Sequence, residues 1–121
     1  ECYRILKPGG LIEIVAPHYS SDNFNTDPTH KMSLGLRSMN YFVYNVQFKY
    51  TYIPSHIKFK LLSNKISFRE CNTSWRKGLK FNFFEIIGLQ WIVNKFPRLY
   101  ERQICWIFPA SEVYFLMKKM D

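Results

Sequence analysis

At 121 residues the chain is bounded to a single domain, and a hydrophobic share of 47% excludes a disordered polypeptide. Its 17 Lys and Arg against 9 Asp and Glu give a net charge of +8, which favours anionic partners, although the cations are scattered along the chain rather than massed in one block. Cys2, Cys71 and Cys105 make no C-x-x-C pair, which fits a reducing, cytoplasmic setting better than a disulfide framework. The longest apolar stretch, 81–93, is broken by Asn82, Glu85 and Gln90 and falls short of the ~20 residues of a membrane span.

Residues 1–7 read as the end of a helix: Cys2, Ile5 and Leu6 share a face, Lys7 lies in the last turn, and Gly9 and Gly10 stop it. So short a stretch holds little helix alone and nothing caps it, so the chain is expected to be a fragment of something longer. The turn Lys7-Pro8-Gly9-Gly10 leads into Leu11-Ile12-Glu13-Ile14-Val15-Ala16, an almost continuous apolar run. Such a run is expected inside a parallel sheet covered on both faces. Pro17 ends it.

Residues 18–32 read as a polar loop, in which Asp27 caps a short turn opened by Pro28, and a helix is predicted from Ser38 to Asn45 with Ser38 as its cap. Residues 46–56 are aromatic and irregular. From Ile57 to Glu70, apolar residues alternate with Lys58, Lys60, Lys65 and Arg69, which predicts one long edge strand or a bent pair kinked near Ser63-Asn64. A polar loop over 71–80, helices over about 82–93 and 97–106, the second opened by Pro97, and a last strand from Ser111 to Met117 complete the order. This α/β alternation calls for one sheet sandwiched by helices.

The run Glu1-Cys2-Tyr3-Arg4-Ile5-Leu6-Lys7-Pro8-Gly9-Gly10 followed by Leu11-Ile12-Glu13-Ile14 resembles the helix, "LKPGG" turn and fifth strand of class I S-adenosylmethionine-dependent methyltransferases. Pro17-His18-Tyr19-Ser20-Ser21, then Asp27-Pro28-Thr29-His30-Lys31, then Ser38-Met39-Asn40-Tyr41-Phe42, and the closing Phe108-Pro109-Ala110-Ser111-Glu112-Val113-Tyr114-Phe115 are similar to one branch of that superfamily, in the same order. The resemblance spans residues 1–121 and only the C-terminal half of the family's domain. It implies an α/β, Rossmann-like sheet end of three strands with flanking helices, the last two strands antiparallel and residues 111–118 beside 11–16. It also implies methyl transfer from S-adenosylmethionine to an unknown acceptor. The family's glycine-rich cofactor turn and its ribose-binding acidic residue fall outside the resemblance; the glycines present are Gly9, Gly10, Gly35, Gly78 and Gly88. No cofactor-binding residue is therefore expected in this segment, and the segment alone is expected to be inactive.

Ligands of open α/β sheets sit beyond the carboxyl ends of the strands, which puts His18 at that crevice as the candidate catalytic base. The other reading has its ring nitrogens tie down the loop. Tyr19, Asp27, His30, Lys31 and Tyr41 are the candidate substrate-binding residues, while capping the turn that Pro28 opens is the favoured job for Asp27. A metal site of His18, Asp27 and His30 is disfavoured because the spacing matches no tight ligand pattern. The resemblance implies that the aromatic stretch Tyr41, Phe42, Tyr44, Phe48, Tyr50 and Tyr52 borders the acceptor pocket, while packing of the short helix into the core explains Tyr41 and Phe42 as well. The alternative function is a non-enzymatic basic module binding nucleic acid or a protein partner, with the aromatics and Lys49, Lys58 and Lys60 as a stacking platform. No RNA-binding signature accompanies it.

Overall fold

The computed structural model describes residues 1–44, 57–68 and 87–120. The expectations for 46–56, for the loop 71–80 and for the first part of the helix over 82–93 lie outside these residues. Helix α1 is a single turn, Cys2–Ile5. In the turn that follows, the Gly10 N–H donates to Lys7 O at 2.9 Å and Gly9 has a φ of 74°. Pro8 at the second position and Gly9 at the third make a type II turn, which needs a positive φ at the third.

Strands β1 (Leu11–Pro17), β2 (Phe59–Ser67) and β3 (Glu112–Lys119) form a sheet in the order β1-β3-β2, with β3 antiparallel to both neighbours. The expected antiparallel pairing of the last two strands is present, with β3 beside β1 from Leu11 opposite Lys118 to Pro17 opposite Glu112. The expectation of a β1 buried on both faces is corrected: Leu11, Glu13 and Val15 are exposed, while Ile12, Ile14 and Ala16 turn inward. Among the described residues β1 has only β3 as a strand neighbour, and one face of it meets no cover. β2 is shorter than 57–70, and its register slips between Leu61 and Ser63, a bulge just before the predicted kink. Lys60 and Lys65 face solvent, as an edge strand requires.

The segment read as a loop contains a short helix, α2 (Asp22–Thr26), whose first turn is capped by the Ser21 hydroxyl accepting from Asn23 N at 3.2 Å. The helix predicted from Ser38 is instead a 3-10 turn, Ser38–Phe42, and the Ser38 hydroxyl accepts from Gly35 N at 2.9 Å rather than capping it. Helix α3 (Leu89–Lys95) is followed by α4 (Pro97–Leu99), with Pro97 at its start as predicted, and by a π-helical turn, Tyr100–Ile104.

Leu36, Ile66, Phe68, Val93, Tyr100, Cys105, Ala110, Val113 and Phe115 form the buried core, on the inward face of the sheet. Four-residue spacing puts Gln90 and Asn94 on one face of α3. Asn94 Oδ1 accepts from Ile66 N at 2.9 Å, Asn94 Nδ2 donates to Ile66 O at 3.0 Å, and Gln90 Oε1 accepts from Phe68 N at 3.1 Å. The two amides thus stand in for a neighbouring strand at this end of the β2 edge. The outer edge of β1 has no such partner among the described residues until its tip, where Tyr19 N donates to Leu34 O at 2.9 Å.

Candidate functional site

β1 delivers His18 directly into the core. Its backbone N–H reaches Ser111 O at 3.1 Å, at the start of β3, and its carbonyl accepts from Ser21 N at 2.8 Å, closing the corner that leads to α2. The imidazole is 0% exposed. Nδ1 lies 2.7 Å from Ser20 Oγ and 3.1 Å from Ser20 N, and a backbone N–H can only donate, so Nδ1 is an acceptor. The neutral ring then carries its proton on Nε2, which faces Glu101 Oε1 at 3.5 Å, a contact of ion-pair length rather than a tight hydrogen bond. Nε2 has no other partner among the described residues.

Glu101, on the π-helical turn, joins three segments. Its Oε1 accepts from Leu36 N at 2.6 Å, and its backbone carbonyl accepts from the Tyr19 hydroxyl at 2.7 Å and the Cys105 thiol at 3.2 Å. Burial pushes the carboxyl pKa up, but the His18 ring, the Leu36 N–H and Arg37 together outweigh it and hold it below the ordinary glutamate value. Tyr19 packs on His18 with ring centroids 4.2 Å apart, and its hydroxyl also meets Cys105 Sγ at 3.4 Å. Burial, then the neighbouring thiol, raises the Tyr19 pKa. Tyr100 donates to Phe108 O at 2.6 Å and is likewise pushed up, chiefly by burial. Ser20 Oγ accepts from Ala110 N at 3.1 Å, tying the same corner to the segment before β3.

Gly35 is enclosed by this network. A Cβ there would stand 3.0 Å from Glu101 Oε1 and 3.2 Å from the Tyr19 ring.

The remaining candidates lie elsewhere. Asp27 and His30 meet in an exposed turn: Asp27 Oδ1 accepts from Thr29 N at 2.8 Å and from Thr29 Oγ1 at 2.7 Å, and His30 Nε2 is 3.7 Å from Asp27 Oδ2. The Thr29 bonds hold the Asp27 carboxyl below its ordinary pKa. His30 also stacks on Phe24, centroids 5.6 Å apart. Asp27 therefore shapes a turn at the C-terminal end of α2, the capping role considered for it. Lys31 is exposed. Tyr41 lies on the 3-10 turn beside an apolar cleft of about 340 Å³ lined with Met32, Leu34, Met39 and Phe42. Among the described residues no cluster of His, Cys, Asp and Glu could hold a metal ion, so His18, Asp27 and His30 form no joint site.

The geometry of His18 matches the loop-tying reading: both ring nitrogens face protein atoms, and the Nε2 proton points at Glu101, not at solvent. Sequence reasoning missed Glu101. Its one visible signal is that it is the sole acidic residue between Ile86 and Ser111, in a stretch whose other charged residues are basic. No protein-family model matches this chain, and no curated protein or solved structure matches it.

Proposed function

We propose that this chain forms the terminal, acceptor-side part of an S-adenosylmethionine-dependent methyltransferase, with β1, β3 and β2 as the closing strands of a longer sheet. One observation carries the reading: the two edges of the sheet are treated differently. Two side-chain amides cap β2 at Ile66 and Phe68, whereas β1, the strand with the most continuous apolar sequence, keeps its outer edge unpaired among the described residues. An uncovered edge on so apolar a strand suits pairing with another strand. The family itself rests on the resemblance in "LKPGG", "PHYSS", "DPTHK" and "PASEVYF".

In this reading the acceptor approaches beyond the carboxyl end of β1. The exposed 27–31 turn and the Met- and aromatic-lined cleft beside Tyr41 would meet the acceptor, and His18 with Glu101 is the clasp that keeps the loop in place. Gly9 belongs to the type II turn at the opposite end of β1, and Gly35 is enclosed by Tyr19 and Glu101. The contribution of this chain is therefore positional, which is much of what an in-line methyl transfer asks of a protein.

The test is a transfer assay on the complete gene product with methyl-tritiated S-adenosylmethionine and fractionated small-molecule, protein and RNA acceptors. Label incorporated into one fraction, and reduced by Tyr41→Ala, supports the reading. No incorporation into any fraction by a folded protein refutes it.

A further inference from the structure

On the uncovered face of the sheet Lys60 of β2 stands directly opposite Lys118 of β3. Like charges in that relation destabilise a strand pair. The neighbouring lysines, Lys58 and Lys119, are both engaged. Lys119 Nζ donates to Tyr3 O at 2.8 Å and Leu6 O at 2.7 Å, and Lys58 Nζ lies 5.4 Å from the centre of the Tyr44 ring. Lys60 and Lys118 are exposed and make no ion pair among the described residues, not even with Glu13, which sits two positions from Lys118 by register.

Lys60 and Lys118 border a groove of about 670 Å³ whose remaining walls are Gly9, Leu11, Leu62, Met120 and Lys119, whose own ammonium group is held by Tyr3 O and Leu6 O. Lys118 is set over the turn, its Cε 3.7 Å from where a Cβ on Gly9 would stand. Leu11, opposite Lys118 on β1, is 57% exposed and Leu62 45%, so open apolar surface flanks the two cations. The bulge between Leu61 and Ser63 leaves Leu62 without a cross-strand partner beside Lys60. The groove lies at the start of β1 and His18 follows its end, roughly 20 Å away at the ~3.3 Å rise of a strand, so it is separate from the buried network.

We propose that this groove binds the phosphate group of a small phosphate ester with an apolar substituent. Opposed residues on paired strands have Cβ atoms about 5 Å apart, which lets both ammonium groups reach one dianionic phosphate and turns their repulsion into shared attraction. Leu11, Leu62 and Met120 receive the substituent. The chain's net charge of +8 raises the local concentration of such an anion. A nucleic-acid strand asks for a track of cations with stacking platforms along it. Here Lys60 and Lys118, without ion-pair partners among the described residues, stand opposite each other at one register position, and the third lysine of the face, Lys65, sits further along β2 opposite Tyr114.

Amide chemical shifts of these residues in the complete gene product, titrated with phenyl phosphate, inorganic phosphate and a six-nucleotide single-stranded RNA, test this. Phenyl phosphate is expected to shift Gly9, Leu11, Lys60, Leu62 and Lys118, saturably and about tenfold more tightly than inorganic phosphate. The double variant Lys60→Gln, Lys118→Gln is expected to lose at least tenfold in affinity with the remaining amides unmoved. Lys118→Gln alone should lose severalfold, and Lys58→Gln should bind as the parent does. Equal affinity for the two phosphates, shifts spread evenly over the surface lysines, tighter binding of the RNA, or parental affinity in the double variant overturns the proposal.

Discussion

Removing the Glu101 carboxylate is the most informative single change in the buried network. Leu36 is 5% exposed and its N–H donates to Oε1 at 2.6 Å, while the fully buried His18 Nε2 faces the same oxygen at 3.5 Å. A hydrogen bond to a charged acceptor contributes about 1.5–3 kcal/mol, and a buried donor left without a partner costs about 1–3 kcal/mol. Because the Nε2 contact is long, we take the low end for it, and Glu101→Ala is expected to cost about 3 kcal/mol. For a chain of this length that lowers the Tm by roughly 10 °C. Glu101→Gln keeps an acceptor for Leu36 and is expected to cost ~1 kcal/mol. Urea unfolding followed by tryptophan fluorescence measures both. If Glu101→Ala stays within about 0.5 kcal/mol of the parent, the carboxylate does not hold the corner together and the reasoning fails. The pH dependence has a definite sign. Since the Glu101 pKa is depressed on folding, its contribution is complete above the ordinary glutamate value of about 4.3 and is lost as pH falls through the lower folded value. Glu101→Gln should therefore flatten stability against pH below about 4.3, where the parent loses stability.

Three further changes separate conformational, steric and edge effects. Gly9→Ala is expected to cost only ~1 kcal/mol, because the φ of 74° disfavours a side chain while the nearest atom to an added Cβ is 3.7 Å away. Gly35→Ala should cost more, roughly 1–3 kcal/mol, since its Cβ would crowd Glu101 and Tyr19, and denaturant melts of the two variants side by side decide the order. Asn94→Leu leaves Ile66 N without its acceptor, which should cost about 1–3 kcal/mol and, by uncapping β2, raise concentration-dependent aggregation seen by light scattering.

Much of the fold was legible where one local rule decides the conformation. Pro8 and Gly9 dictate a type II turn, the alternation of Leu61 and Ile66 with Lys60 and Lys65 marks an edge strand, and Pro97 opens α4. β1 misled because an apolar run is written the same way whether both faces are covered or one is open. The 18–32 stretch hid α2 because its residues, Asp22-Asn23-Phe24-Asn25-Thr26, are poor helix formers held by a Ser21 cap. At the site, His18 was visible as a histidine at a strand end, but its burial depends on Glu101, a residue 83 positions later that only tertiary structure brings to it. The bond between Gln90, Asn94 and the β2 edge was equally invisible, since amides interrupting an apolar helix read as solvent-facing until their strand partner is known.

Calorimetric titration of S-adenosylmethionine into the complete gene product tests the proposed methyltransferase role most directly. One saturable site with micromolar affinity is expected, competed by the demethylated product S-adenosylhomocysteine and nearly unchanged by Lys60→Gln or by Tyr41→Ala, which bear on other ligands. A folded gene product that takes up neither cofactor nor product at millimolar concentration contradicts it.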